Sequence, residues 1–279
     1  MREVSAQTIS DVIAKLCIQA NCHLPEDMCN CITCAQAEED WPLAREVLDR
    51  IVENYQIAGR EQLPICQDTG MACVFLKIGQ DVHIVGDLNE AVNAGVRKGY
   101  TEGYLRKSVV EDPIRRGNTG DNTPAILYTE LVPGDQIEIT VAPKGFGSEN
   151  MSQIKMLRPS DGEVGVLDFV VKVVEEAGPN PCPPVVVGVG IGGTFEKAAY
   201  LSKKALIRST DIRNPDPYYA DLEGQLLERI NALGIGPQGF GGKTTALAVN
   251  IETFPTHIAG LPVAVNIGCH VTRHATEVI

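Results

Sequence analysis

Three cysteines of this 279-residue chain stand in loops punctuated by Gly and Pro. They are Cys66 in Pro64-Ile65-Cys66-Gln67-Asp68-Thr69-Gly70, Cys182 in Asn180-Pro181-Cys182-Pro183-Pro184, and Cys269 in Asn266-Ile267-Gly268-Cys269-His270. Loops of that composition can wrap backbone N–H groups toward a bound anion or a cluster sulfur, and thiolate is the ligand that iron–sulfur clusters use. The three lie far apart in the chain, so no spacing motif joins them, and free cysteine is more often a small buried hydrophobe. Cys29, Cys31 and Cys34 lack a distal pair at zinc-finger spacing. With Cys17, Cys22 and Cys73 they read as buried or half-buried thiols.

Two glycine-rich words come close to phosphate-binding motifs. Gly188, Gly190 and Gly193 satisfy G-x-G-x-x-G between a strand-like and a helix-like run, with Asp211 near the distance of a ribose-binding acid. No βαβ repeat is there to receive a dinucleotide, so a close backbone approach, or a helix N-terminus that cradles an anion, is the better reading. Gly239 to Thr244 is not a phosphate loop, because Pro237 stands where its first glycine belongs.

Composition bounds the partners. With 24 Lys+Arg against 36 Asp+Glu the formal charge is −12, which disfavours nucleic acid and anionic membrane surfaces. A hydrophobic share of 44% with 22% charged residues describes a soluble globular chain. The first twenty residues hold no uninterrupted apolar core of signal-peptide type and the chain no bilayer-length apolar run, so neither secretion nor membrane spanning is expected. Nine cysteines without a disulfide-scaffold spacing read as reduced thiols, and the expected location is cytoplasmic.

The elements that must position these loops follow from periodicity. Ile9, Val12, Ile13, Leu16, Cys17 and Ala20 form one helical stripe, and Leu43, Val47, Leu48, Ile51 and Tyr55 a second, opened by Asp40 before Trp41-Pro42. A strand is expected over 71–78, and a helix capped by Asp87 and Glu90 to about Tyr104, with Arg106 at its end. Strands at 124–131 and 136–142 flank Val132-Pro133-Gly134-Asp135 and predict an antiparallel hairpin. Ser160 and Glu163 open a helix through Val174, closed by Gly178-Pro179. A buried strand at 185–190, helices over 194–206 and 218–232, and strands near 244–251 and 262–267 complete the order. The expected fold class is α+β, helices mixed with small, largely antiparallel sheets, in one unit of residues 1–279 with no internal repeat and no linker.

The words LPICQDTGMACVF (63–75), GYLRKSVVEDPIRRGNTGDNTPA (103–125), KGFGSENMSQIKML (144–157), NPCPPVVVGVGIGGTFEKAAYLSKKAL (180–206) and ETFPTHIAGLPVAVNIGCHVTRHA (252–275) carry a resemblance spanning nearly the whole chain. Together they resemble the α-subunit of the class I iron–sulfur hydro-lyases, the two-subunit fumarate hydratases and L-tartrate dehydratases. The resemblance implies a 4Fe-4S cluster held by Cys66, Cys182 and Cys269, with one iron left open as a Lewis acid. Asp68 then donates or relays a proton, its other role being a turn cap. Gln67 and Arg106 bind the carboxylates of a small dicarboxylate, and His257 is similar to the family's active-site histidine. The implied reaction interconverts a 2-hydroxy dicarboxylate and its unsaturated or keto product, first (S)-malate and fumarate, alternatively L-tartrate dehydration. A β-subunit, in an α2β2 assembly, is expected to supply the remaining catalytic groups as a separate chain. The rival of another class, a non-catalytic iron–sulfur redox or sensor protein, would call for a fourth cysteine ligand. A nucleotide-binding oxidoreductase would call for NAD at the 188–193 loop.

Overall fold

In a computed structural model describing all 279 residues, the stripe from Ile9 to Ala20 is buried along one helix, as its spacing predicts. The elements begin β1 (Arg2–Ser5), α1 (Ala6–Cys22), α2 (Glu26–Glu38), α3 (Pro42–Glu61), β2 (Met71–Gly79), β3 (Val82–Val85), α4 (Leu88–Glu102), β4 (Ile126–Val132) and β5 (Ile137–Lys144). They continue α5 (Phe146–Glu149), β6 (Gln153–Leu157), α6 (Gly162–Ala177), β7 (Val185–Gly192), α7 (Phe195–Ala205), α8 (Pro217–Asn231), β8 (Ala246–Phe254), β9 (Leu261–Gly268) and β10 (Ala275–Val278). None of these helices is long and apolar enough to cross a membrane.

The chain forms two compact units where the sequence led us to expect one. The first comprises Met1–Pro25, Tyr55–Gly145 and Arg273–Ile279, the second Glu26–Asn54 and Phe146–Thr272. Each is assembled from separate segments, and one crossing falls inside α3, so the division leaves no flexible linker to be read.

In the first unit a sheet of order β10-β5-β2-β4 carries β2 antiparallel to β5 and parallel to β4. Helices α1 and α4 and the sheet share one core, in which Ile13, Leu16, Val74, Leu76, Val96 and Ile139 meet. The predicted hairpin between the strands around 133–136 is corrected here. Strand β2 lies between β4 and β5, and the connecting turn crosses its end, where the N–H of Gly79 donates to Gln136 O and that of Asp81 to Gly134 O. A turn-compatible word fixes only that the chain reverses, not that its flanking strands are neighbours.

In the second unit the sheet order is β6-β9-β7-β8, with β7 antiparallel to β9 and parallel to β8. Period-two alternation divides β7: Val185, Val187, Val189 and Ile191 enter a core with α6 and α8, while Gly188 and Gly190 face α7. A Cβ on Gly190 would overlap Ala198 O and stand 2.6 Å from Ser202 N, and one on Gly188 would overlap Ser202 O. The G-x-G pattern therefore marks the close approach of helix to strand. Each four-stranded sheet has two antiparallel pairings and one parallel, largely antiparallel as expected.

Two helix starts also differ from expectation. Pro42 opens α3, but Asp40 pairs with Lys243 at 2.8 Å instead of capping. Leu43 is 44% exposed, and Ala44, Leu48, Ile51 and Ala58 form the buried side of that helix. Helix α6 begins after a short 3-10 turn, Pro159–Asp161, where the Asp161 carboxylate accepts the N–H of Arg158, and Ser160 caps nothing.

A repeat that residue patterns do not show is present in the topology. In each unit one strand, β2 or β7, lies inside its four-stranded sheet. It crosses through helical chain to a parallel neighbour, β4 or β8, and a third strand, β5 or β9, lies antiparallel on its other side. Cys66 precedes β2 and Cys182 precedes β7, so two of the three loop cysteines enter equivalent central strands.

Candidate functional site

In the first unit the loop from Cys66 to Gly70 is held by its carbonyl groups. Asp68 O accepts from Arg273 Nη2 at 2.6 Å, Thr69 O from the Tyr100 hydroxyl at 2.6 Å, and Gly70 O from that hydroxyl and from Asn122 Nδ2, both at 3.1 Å. Tyr100 and Asn122 are fully buried, and burial pushes the Tyr100 phenol far above its ordinary ionisation range, so it stays a donor. Gly70 has φ of 71°, and a Cβ there would lie 2.6 Å from the Lys144 backbone, which reserves the position for glycine.

With the carbonyl groups so engaged, the amides serve the functional side chains. The Asp68 N–H donates to Cys66 Sγ at 3.4 Å, and the Gly70 N–H donates to Asp68 Oδ1 at 3.0 Å. Asp68 thus fills the turn-capping role anticipated for it, with its second carboxylate oxygen beside Gly145. Arg106 does not end a helix. Helix α4 stops at Glu102, and Gly103 with Tyr104 at φ of 52° turns the chain so that Arg106 O accepts from Thr69 Oγ1 at 3.0 Å. One unit therefore brings Cys66, Gln67, Asp68 and Arg106 together, with the Gln67 and Arg106 side chains exposed.

The segment carrying Arg106 returns to α4 through Asp121, whose carboxylate accepts from Arg97 Nε at 2.9 Å and from Thr123. Burial raises the proton affinity of this carboxyl, but the guanidinium and the Thr123 donors outweigh it and hold the group at about 2. A carboxyl depressed on folding stabilises the native state above its unfolded value near 3.8 and loses that contribution as pH falls toward 2. Denaturant midpoints followed from pH 5 to about 2 are expected to fall less steeply for Asp121→Asn than for wild type.

The second unit brings Cys182 and Cys269 together. Cys182 is exposed with φ of 55°, and its carbonyl accepts from His270 twice, from the backbone N–H at 3.3 Å and from ring Nδ1 at 2.9 Å. The neighbouring Pro183 O accepts both the N–H and the side-chain amide of Gln238 at 2.8 Å. Cys269 Sγ accepts the N–H of Val271 at 3.4 Å, the same two-residue amide-to-sulfur bond found at Cys66.

His257 is placed elsewhere. It follows β8 and precedes β9, beyond the end where Gly192 pairs with Phe254, whereas Cys182 and Cys269 flank the end where Val186 pairs with Gly268. At about 3.3 Å per residue these two ends of the sheet are about 20 Å apart. His257 is exposed, and its Nδ1 accepts the Ala259 N–H at 3.2 Å, so the neutral ring carries its proton on Nε2.

Within neither unit do three His, Cys, Asp or Glu side chains converge as a metal-ion site. The donor chemistry nevertheless fits an iron–sulfur group: at two of the three candidate ligands a backbone amide is aimed at the sulfur, the kind of hydrogen bond that orients and supports a cluster's sulfur ligands. Cys29, Cys31 and Cys34 lie along α2, where Cys31 Sγ contacts Thr210 Oγ1 and burial raises the Cys29 and Cys31 thiols. Sequence reasoning missed Tyr100, Asn122, Arg273, Gln238 and His270. Asn122, Arg273 and His270 lie inside the quoted resemblance words, but only the fold shows which carbonyl each one meets.

The chain is similar to known proteins over nearly its whole length. Residues 10–278 match the family described as Fumarate hydratase (Fumerase). A protein of Methanocaldococcus jannaschii named putative L(+)-tartrate dehydratase subunit alpha is 44% identical over 275 residues, covering 96% of each chain. An Escherichia coli protein named L(+)-tartrate dehydratase subunit alpha is 33% identical over 278 residues, 99% of this chain and 92% of its own. With a family match that takes in both cysteine-bearing units and relatives named as α subunits aligned almost end to end, the chain belongs to the fumarate hydratase (Fumerase) family and is a hydro-lyase of the α-subunit type.

Proposed function

We propose that this chain is the cytoplasmic α-subunit of a 4Fe-4S hydratase that adds water to, or removes it from, a small dicarboxylate, with Cys66, Cys182 and Cys269 as cluster ligands. The observation that carries the reading is the paired amide-to-sulfur bonding at Cys66 and Cys269, the Cys66 loop being held besides by the buried donors Tyr100 and Asn122 and the Cys182 loop by His270 and Gln238. A cluster with three protein ligands supplies, when bound, an iron with an open position for Lewis-acid chemistry. The chain's own residues supply the rest. Arg106 and Gln67 bind carboxylate oxygens of the substrate, and Asp68 carries a proton at the carboxylate oxygen not committed to Gly70.

His257 exchanges protons at that site from a second copy of the chain, since its own sheet separates it from Cys182 and Cys269. The exposed apolar residues around it, Phe254 and Ile258, support such a contact. A β-subunit in an α2β2 assembly, supported by the relatives' names, contributes the groups that remove the carbon-bound proton. The first substrate reading is (S)-malate and fumarate, in line with the family's description. The second is L(+)-tartrate, favoured by the relatives' names.

The test is anaerobic iron and sulfide determination with EPR of the reduced protein, for wild type and Cys182→Ser, with and without malate and tartrate. About four iron per wild-type chain, lost in the variant, and a spectrum perturbed by one of the two acids are expected. A cluster indifferent to both acids and to the substitution would remove the hydratase reading.

A further inference from the structure

Arg273 is a buried cation to which the reaction as proposed assigns no role. It is 5% exposed, and its hydrogen bond runs from Nη2 to the carbonyl of Asp68 at 2.6 Å, while its Nε is buried with no partner. No ion pair of the chain includes it. A guanidinium taken out of water needs an anion or a full set of acceptors, and a single carbonyl is neither. Other buried donors of this loop, Tyr100 and Asn122, are neutral, so loop anchoring alone does not call for a charge here.

The path from this charge to the candidate ligand is one residue thick. The Asp68 carbonyl takes the guanidinium hydrogen, and the Asp68 amide gives its hydrogen to Cys66 Sγ. A thiolate-held cluster and a dicarboxylate are both anionic, and a low-dielectric surround strengthens their attraction to a nearby fixed cation.

We infer that Arg273 is a positioning residue that acts as the buried counter-cation of the Cys66–Asp68 loop, balancing the negative charge of the cluster and substrate received there. This rests on the cluster reading above. Two substitutions separate charge from anchoring: Arg273→Gln keeps an amide donor for Asp68 O without the charge, and Arg273→Lys keeps the charge.

In the reconstituted holoenzyme with its partner subunit, the readouts are iron per chain, the reduction midpoint of the cluster by EPR-monitored titration, and the thermal midpoint. Arg273→Gln is expected to hold iron yet shift the reduction midpoint downward, because an added electron loses a stabilising cation, and Arg273→Lys to restore most of that shift. Iron-loaded Arg273→Gln with an unchanged reduction midpoint, even with a lowered thermal midpoint, would leave only a structural tie and overturn the inference. If Arg273→Gln does not fold, Arg273→Lys decides: a midpoint near wild type with iron retained sustains the inference, and a lysine variant shifted downward overturns it. Wild-type protein that takes up no iron would instead refute the cluster reading on which the inference stands.

Discussion

Asp68→Asn is expected to lower turnover by about 10²–10⁴-fold, the usual contribution of a positioned general acid or base. The substitution is nearly isosteric, and Asn keeps an oxygen to accept the Gly70 N–H bond now made by Oδ1 at 3.0 Å. The Asp68 backbone, which donates to Cys66 Sγ and accepts from Arg273, is untouched. Fold and iron content should therefore stay at wild-type levels, and KM should change much less than kcat, since the proposed carboxylate-binding residues are Arg106 and Gln67 rather than Asp68. Iron per chain, kcat and KM measured on one preparation separate the two roles of this residue. A variant with full turnover would show that Asp68 is a turn cap and nothing more.

What the sequence allowed to be read divides along a physical line. Local signals were dependable where the deciding energy is local: the stripe in α1, the Asp87 cap whose carboxylate accepts the Glu90 N–H, and the apolar run of β7 that is buried from end to end. They failed where neighbours decide. Nothing in Val132-Pro133-Gly134-Asp135 tells that β2 will occupy the space between the flanking strands, because that choice is made by β2's own apolar residues seeking α1 and α4. The position of Leu43 on the exposed side of α3 has the same origin, since periodicity names a stripe but not the side on which a neighbour packs.

The candidate site was legible in residue types and only partly in geometry. Cys66, Gln67 and Asp68 were bound to be adjacent, and Arg106 reaches them only because Thr69 spans to its carbonyl. Cys182 and Cys269 meet because β7 and β9 are antiparallel neighbours and because His270 donates to Cys182 O, a long-range pairing no spacing rule contains. The same antiparallel register that joins those two cysteines removes His257 from them. A strand that ends near Cys269 must begin at the far edge of the sheet, and His257 lies just before that beginning.

This register makes the largest qualitative prediction. Cys182→Ser chains lack a proposed cluster ligand, and His257→Asn chains lack the imidazole, so each alone is expected to be nearly inactive. The asparagine can still accept the Ala259 N–H, which keeps the turn intact. Co-expressed in equal amounts with the β-subunit, the two variants form mixed α pairs. In such a pair the cysteines of the His257→Asn chain face the intact His257 of the Cys182→Ser chain, and one of the two sites is whole. Random pairing makes half of the α pairs mixed, so about a quarter of wild-type activity is expected to return, with about half the wild-type iron. If histidine and cysteines instead acted within one chain, every site would lack one of them and mixing would restore nothing. Full activity of His257→Asn by itself would show a surface histidine with no part in the reaction, an outcome distinct from both. Ile258, 91% exposed beside His257, supplies an independent check. Ile258→Glu should weaken the α–α contact in light scattering and lower activity while each chain still takes up iron, because a charge placed in an apolar interface costs association without touching either cysteine loop.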